Sequence, residues 1–184
     1  MQDLNNIITE LADRQSITDL LLAYCAACDR IDEAALRTCF HPDATHDHGG
    51  YVGPSSEWIA PALAWLKGRV GITHMISTPR IVIKGDRAAS DCHFVAYNRT
   101  DKQEGMLEEV LVKGRYVDRL IRTEQGWQIL HRTGIHDFEL IREVPAETRP
   151  MAAGPSSGGP ADDPFARELA ALMYARKRAI HHAV

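Results

Sequence analysis

Residues 106–143 have the sequence MLEEVLVKGRYVDRLIRTEQGWQILHRTGIHDFELIRE, and this stretch decides the fold. It contains two long runs rich in Val, Ile, Thr and aromatic residues, which are the side chains that favour extended strands. The segment Thr123-Glu124-Gln125-Gly126 between the two runs is typical of a tight turn. The stretch therefore predicts two long antiparallel strands joined by a hairpin.

Two more runs of this composition precede the hairpin, at 72–84 and 87–98. Short turn signals follow them, at Lys84-Gly85-Asp86 and Thr100-Asp101-Lys102. Four long strands with such short connections predict an antiparallel meander, because each strand can pair directly with the next.

The first 70 residues show the apolar spacing of helices instead. This spacing predicts an amphipathic helix over 16–30 with Ser16 as its N-cap, and a shorter helix before it at Ile7, Ile8 and Leu11. The elements expected next are a helix over 34–40 that ends at His41-Pro42, a short hairpin over 43–52, and a helix opened by Pro54.

Helices followed by a strongly curved sheet predict an α+β fold. We expect a cone-shaped α+β barrel over residues 1–144, with the N-terminal helices packed in a strongly curved antiparallel sheet around a pocket. Recurrent prolines and glycines predict a linker over 145–164. Residues 165–184 are expected to form a docking helix, either a lid over the pocket or a strut against a neighbouring subunit, because their apolar side needs cover.

Composition narrows the function classes. The chain has 184 residues, a net charge of −4 and no basic run, which argues against nucleic-acid and anionic-membrane binding. It lacks an apolar stretch of about 18 residues and a signal-peptide pattern, so we expect a cytoplasmic protein. The four cysteines are expected to be buried, reduced thiols, since Cys25 and Cys28 fall late in a helix rather than at its start.

Asp29 and His74 are the most suggestive polar residues. Asp29 lies at the end of the long helix, bordering its apolar face. His74 alternates with Ile72 and Ile76, which places it on an apolar face of a strand. A carboxylate partner would satisfy the imidazole and raise its basicity. The alternatives are a surface Asp in a turn and a core His satisfied by its neighbours.

Several motifs together resemble the SnoaL-like branch of the nuclear transport factor 2-like superfamily, over about residues 5–142. These motifs are Tyr24-x4-Asp29, Phe40-His41-Pro42-Asp43-Ala44, Gly53-Pro54, Thr73-His74, and Gly126-Trp127-Gln128-Ile129 followed by Arg132. The helix-end Asp and the strand His are similar to those of its catalytic subset, which includes scytalone dehydratase, gamma-hexachlorocyclohexane dehydrochlorinase and bile-acid 7-alpha-dehydratase.

This resemblance implies a cofactor-free elimination with Asp29 and His74 as a base dyad. It further implies that Tyr24 assists the leaving group and that Arg132 is a pocket arginine on the last strand. Homo-oligomers are implied as well, with a trimer favoured and a dimer next. Outward-facing Val, Ile and Leu on the long sheet also favour an oligomer.

The remaining polar and aromatic residues suggest a substrate pocket rather than a metal site. His46 and His48 would face one way on a strand, but a convincing third ligand is missing, so we expect no metal. The residues expected to contact substrate are His93, Tyr51, Trp58, Phe94 and Tyr116. Arg115, Arg119, Arg122 and Asp118 are expected on a solvated or interface face, and His131 and His136 outside.

The function expected from these features is a lyase acting on a small aromatic or alicyclic substrate by dehydration, dehydrohalogenation or loss of a small fragment such as formaldehyde. Nucleotide-binding and nucleophile-elbow signatures are missing from the sequence, so we expect no cofactor. An isomerase of the same fold remains an alternative. A non-catalytic ligand-binding protein, or an assembly subunit related to ring-hydroxylating dioxygenase beta subunits, is another.

Overall fold

The computed structural model describes residues 2–146, which form three helices and a curved sheet of seven strands. The elements, in chain order, are α1 (Gln2–Asp29), α2 (Glu33–Thr38), β1 (Phe40–His48), β2 (Tyr51–Pro54), α3 (Ser55–Lys67), β3 (Gly71–Ile76), β4 (Arg80–Lys84), β5 (Arg87–Asp101), a 3₁₀ turn (Gln103–Gly105), β6 (Met106–Thr123) and β7 (Gly126–Pro145). The predicted linker over 145–164 lies outside the described residues except for its first two, of which Pro145 ends β7. The predicted helix over 165–184 lies outside them entirely.

The sheet has the strand order β2-β1-β7-β6-β5-β3, with β4 also paired to β5. Strands β5, β6 and β7 form the predicted antiparallel meander, and the α+β class is confirmed. The sheet is mixed and open rather than wholly antiparallel, because β1 runs parallel to β7. The predicted strand over 72–84 is two strands, since Pro79 interrupts it and both halves pair with the long β5.

Helix α1 is continuous over 28 residues, so the predicted break before Ser16 was wrong. The Ser16 hydroxyl donates to the Ala12 carbonyl 2.9 Å away, one turn back, instead of capping a new helix. The residues of α1 include neither Gly nor Pro, so the backbone has no reason to stop. Helix α2 is capped by Asp32 and ends at Thr38, earlier than predicted, because Phe40 already belongs to β1.

The core lies between the helices and the inner face of the sheet. Its largest buried apolar members are Ile17, Leu21 and Tyr24 from α1, Ile59 and Leu63 from α3, and Phe94, Tyr116, Leu120 and Ile129 from the sheet. All four cysteines are buried and free, as predicted. Burial raises the pKa of Cys25 to about 12 and that of Cys92 to about 11, so these thiols stay protonated.

Helix α1 is hydrogen-bonded to the hairpin formed by β6 and β7. The Arg122 guanidinium donates to both carboxylate oxygens of Asp13, and the Trp127 indole N–H donates to the same carboxylate at 3.1 Å. These contacts fix the middle of α1 against the β6–β7 turn. None of the helices within residues 2–146 combines the length and the apolar character needed to cross a bilayer.

Candidate active site

Asp29 and His74 meet where the end of α1 packs against β3. The His74 Nδ1 lies 2.6 Å from Asp29 Oδ1, and the His74 backbone N–H donates to the same carboxylate at 2.9 and 3.1 Å. A carboxylate at a helix C-terminus is electrostatically unfavourable, because the carbonyl ends of the helix are already negative. The hydrogen bonds from His74 offset this penalty.

The geometry assigns the proton on the imidazole. An ionised Asp29 carboxylate can only accept, so His74 donates from Nδ1 and its Nε2 carries the lone pair. Within residues 2–146, every hydrogen bond of His74 goes to Asp29. The side chains remain 10% exposed for His74 and 25% for Asp29. Nε2 is therefore available to take a proton from a bound molecule.

A cluster of aromatic and imidazole rings lies on the inner face of the sheet, and its Phe94 pairs with Ile76, two residues beyond His74 on β3. Phe94 stacks on Tyr116 with centroids 4.2 Å apart, and Trp58 stacks on His46 at 4.1 Å and on His48 at 5.5 Å. His136 approaches His48 edge-on at 5.1 Å. Three residues of the expected substrate-binding set, Trp58, Phe94 and Tyr116, thus lie in one cluster.

Gly134 makes room for the His48 ring in this cluster. A Cβ on Gly134 would lie 2.7–3.0 Å from atoms of the His48 imidazole, so the ring occupies the space that a side chain would fill. His48 and Tyr116 both pair with Gly134 in the sheet, from opposite sides. The missing side chain is what lets the two rings meet across β7, at 5.7 Å.

Arg132 and Tyr24 belong to a buried network instead of contacting the dyad. Arg132 is fully buried and forms a two-point ion pair with Asp118, with both distances 2.7 Å. Its guanidinium lies 4.0 Å from the Tyr24 ring centroid and 4.2 Å from that of Tyr116. Tyr24 is buried with it. The structure therefore does not bring these two expected catalytic residues into contact with His74.

The register places the two at different levels of the sheet. His74 pairs through Ala96 with Val112, whereas Arg132 pairs with Asp118, six residues further along β6.

A polar row crosses the sheet at the level of Arg132. His46, Arg132, Asp118 and Ser90 are cross-strand partners on β1, β7, β6 and β5, and Ser55 extends the row through its 3.0 Å contact with His46 Nδ1. Among the described residues, Arg132 Nη1, His46 Nε2 and His48 Nδ1 are buried without a hydrogen-bond partner. Asp118 was expected on a solvated face; its alternation with Tyr116 and Leu120 was the signal that it faces inward.

Two expected substrate contacts are placed elsewhere. His93 is exposed and, because it is adjacent to the buried Phe94 on β5, points to the other face of the sheet. Its assignment to the pocket is corrected accordingly. Tyr51 pairs with His48 at the hairpin, but its hydroxyl donates to the Pro54 carbonyl at 2.8 Å. Sequence reasoning missed the inward position of His48, although it placed His46 and His48 on one face.

Two cavities lie apart from the dyad. A groove of about 340 Å³ is lined mainly by residues of α2, β1 and the β6–β7 hairpin, including Arg37, His41 and Gln128. A smaller cavity of about 140 Å³ lies on the outer face beside Tyr97 and Glu109. Neither includes Asp29 or His74, so the expected pocket around the dyad corresponds to neither of them. In the described part of the chain, no three His, Cys, Asp or Glu side chains are grouped to hold a metal ion.

His46 and His48 are expected to make the protein acid-sensitive. Burial, and then the positive charge of Arg132, lower the pKa of His46 to about 2 and that of His48 to about 3. Below the ordinary histidine pKa near 6.5, these two histidines bind protons in the unfolded chain but stay neutral in the folded protein. The free energy of unfolding should therefore fall as pH drops from 6.5, by up to about 1.4 kcal/mol per pH unit for each histidine.

Urea unfolding between pH 7 and pH 5 measures this loss, and His46→Asn should make it smaller. The pKa of Glu109 is held at about 2, mainly by its hydrogen bond from Tyr97, and Arg122 lowers that of Asp13. The stability contributed by these carboxylates is present above their ordinary pKa near 4 and is lost only below it, outside the window tested. An equal loss in wild type and His46→Asn would contradict the assignment to His46.

Comparisons with known proteins agree with this architecture. A model of the SnoaL-like domain matches residues 9–133. The uncharacterized protein Rv2910c of Mycobacterium tuberculosis is 29% identical over 142 residues, which cover 73% of this chain and 92% of that protein.

Two solved structures share the fold at lower identity. A type 2 hexachlorocyclohexane dehydrochlorinase superposes with a TM-score of 0.64 at 14% identity, covering 80% of this chain and 96% of that one. A candidate scytalone dehydratase from Novosphingobium aromaticivorans gives a TM-score of 0.62 at 16% identity, covering 82% of this chain and all of that one. With its helices packed on the mixed curved sheet and the domain model matched over most of its length, the chain belongs to the SnoaL-like domain family.

Proposed function

We propose that the protein is a cofactor-free lyase in which His74 removes a proton from a small aromatic or alicyclic substrate. The observation that carries this proposal is the 2.6 Å contact between His74 Nδ1 and Asp29, with Nε2 left without a partner among the described residues. Similar solved structures that bear the names of a dehydrochlorinase and a candidate scytalone dehydratase support the same class of reaction.

In the proposed step, His74 Nε2 takes a proton from a substrate carbon or hydroxyl, and the electron pair of the broken bond forms a new double bond. The leaving group departs with its own bonding pair. A halide leaves as an anion, and a hydroxide takes the proton back from the imidazolium to leave as water. Retro-aldol loss of formaldehyde uses the same base on a hydroxyl. Asp29 stabilises the imidazolium that forms and holds its orientation.

The ring cluster supplies the wall for such a substrate. Trp58 is half-buried and offers a flat apolar surface, Phe94 and Tyr116 lie buried in the same cluster, and His48 adds a neutral polar edge. We assign Tyr24 and Arg132 to the support of this wall, because both are buried behind Tyr116. Their action on a leaving group would require a substrate that reaches between these rings.

A turnover screen of hydroxylated and halogenated ring compounds tests the proposal, with product masses measured and His74→Ala as the control. Loss of water, hydrogen halide or formaldehyde in wild type alone supports a lyase. Turnover without a change of mass would indicate the isomerase instead, because the same dyad can move a proton within one molecule. Saturable binding without any turnover would favour the non-catalytic alternatives.

We expect the reaction to be independent of metal ions. General acid–base catalysis by a positioned dyad needs no Lewis acid and contributes about 10²–10⁴-fold to the rate. Prolonged treatment with a chelator, followed by metal analysis and assay, should leave the activity unchanged. Activity that disappears with a metal and returns when zinc or iron is added would contradict this expectation.

We also propose a cytoplasmic homo-oligomer, with a trimer favoured and a dimer next. Phe138 and Leu140 support this proposal, since both are about half exposed on the outer face of β7. Light scattering of the full chain at tens of micromolar would decide the number of subunits.

A further inference from the structure

The first three turns of α1 are exposed to solvent. All ten residues from 3 to 12 are exposed, and the first buried residue of the helix is Asp13, where Arg122 and Trp127 hold it. Among residues 2–146, the side chains of this segment make only local hydrogen bonds, such as that from Thr9 to the Asn5 carbonyl and those from Arg14 to Glu10. Relative to this described part of the chain, the segment extends as a helix beyond its last tertiary anchor.

This projecting segment carries an apolar stripe. Leu4, Ile7, Ile8 and Leu11 are 59%, 50%, 55% and 61% exposed, and their spacing places them on one side of the helix. The other side carries Asn5, Asn6, Thr9 and Glu10. A helix of about three turns is marginal in water by itself, and a contiguous exposed apolar stripe is typical of an interaction surface. The stripe is not used by the fold or by the dyad.

We propose that this segment pairs antiparallel with the same segment of a second copy of the chain. In the proposed antiparallel register, residue n of one helix lies beside residue 15 − n of the other. Leu4 therefore contacts Leu11 of the second copy, and Ile7 contacts its Ile8. All four apolar side chains are then covered on each helix, and the contact is closed by a two-fold axis.

Charge favours this arrangement over a parallel one. A parallel pair would place Glu10 beside Glu10 and Asp3 beside Asp3. The antiparallel pair places Glu10 beside Asn5 of the second copy, and it also opposes the two helix dipoles.

The length of the projection leaves room for two bodies. In the antiparallel register, Asp13 of one copy lies opposite residue 2 of the other, so the two anchored bodies stand at opposite ends of the paired segment. Eleven residues of helix separate these ends, or about 17 Å. The bodies therefore need not overlap for the stripes to meet, and we expect a weak contact with a dissociation constant in the micromolar range.

Light scattering of the full chain at tens of micromolar tests the contact. Ile7→Gln with Ile8→Gln removes the centre of the stripe while keeping good helix formers, and Asn6→Gln with Thr9→Gln is the matched control on the polar side. The stripe variant should have a lower mass than wild type, half of it where the paired segments join two otherwise separate copies or assemblies, and the control should match wild type. An unchanged mass in the stripe variant would overturn the proposal, including the case in which another segment or another surface covers the stripe.

Cysteine cross-linking tests the register. A mixture of the Leu4→Cys and Leu11→Cys proteins should form a disulfide-linked heterodimer under mild oxidation. Either protein alone should form less disulfide-linked homodimer under the same conditions. Preferential linkage of Leu4→Cys to itself would indicate a parallel pair and overturn the proposed arrangement. Both experiments are independent of turnover, so they stand apart from the proposed lyase activity.

Discussion

Replacing His74 with Ala is expected to lower kcat by about 10²–10⁴-fold while the protein stays folded. The substitution removes Nε2, the basic atom of the dyad, but only a partly exposed side chain whose hydrogen bonds are confined to Asp29. The measurement is steady-state kinetics on whichever compound the turnover screen identifies, with thermal unfolding recorded in parallel. His93→Ala is the matched control, because that histidine lies exposed on the opposite face of the sheet. A kcat near the wild-type value in His74→Ala would show that another group is the base.

Asp29→Asn should lose most of the activity as well, with a different effect on stability. The amide keeps the shape and its Oδ1 can still accept from the backbone and ring N–H groups of His74, but it lacks the charge that stabilises the imidazolium. Removing a negative charge from the C-terminal end of α1 also relieves an unfavourable interaction with the helix dipole. We therefore expect the free energy of unfolding to stay the same or to rise slightly, by less than about 1 kcal/mol. A variant that is both inactive and strongly destabilised would indicate a structural role for Asp29.

The second large effect is expected at the buried pair of Arg132 and Asp118. Asp118→Asn leaves a buried guanidinium without its counter-charge and should destabilise the fold by about 3–5 kcal/mol. The double variant Arg132→Met with Asp118→Leu removes both charges and should be more stable than Asp118→Asn alone. Urea unfolding of wild type, Arg132→Met, Asp118→Leu and the double variant gives the coupling energy of the pair.

An exposed ion pair on α2 provides the control for that cycle. Arg37 and Glu33 lie 2.7 Å apart with more than a third of each side chain in water. Glu33→Gln should therefore change the free energy of unfolding by less than about 1 kcal/mol. If Asp118→Asn were as mild as Glu33→Gln, the buried pair of Arg132 and Asp118 would not support the fold as we describe.

Local sequence patterns predicted the hairpin over 106–143 and the inward face of His74, because alternation and turn residues act over a few positions. They failed at Ser16, where a good N-cap residue lies inside a helix that nothing interrupts. Pro79 could have indicated that the run over 72–84 forms two strands. The pairing of both strands with β5 depends on tertiary structure, which local patterns do not reveal.

Which side chains lie next to each other in the site depends on cross-strand register, and local sequence patterns do not reveal that register. The parallel pairing of β1 with β7 sets His46 beside Arg132, and two further strands bring in Asp118 and Ser90. The proximity of Asp29 and His74 was expected because the motifs resemble a family. The separation of Arg132 from this dyad by six residues of β6 could not be foreseen from the motif, because a motif gives residue types without strand offsets.

A single unbroken helix carries the exposed stripe at one end and Asp29 at the other, about 30 Å from the centre of the stripe. It contains neither Gly nor Pro, so it behaves as a stiff rod rather than as two jointed segments. The anchor at Asp13 separates the projecting turns from a second half that is held along its length by buried residues such as Ile17, Leu21 and Tyr24. Because that half is packed into the core, an event at the exposed stripe should leave the 2.6 Å contact between carboxylate and imidazole undisturbed.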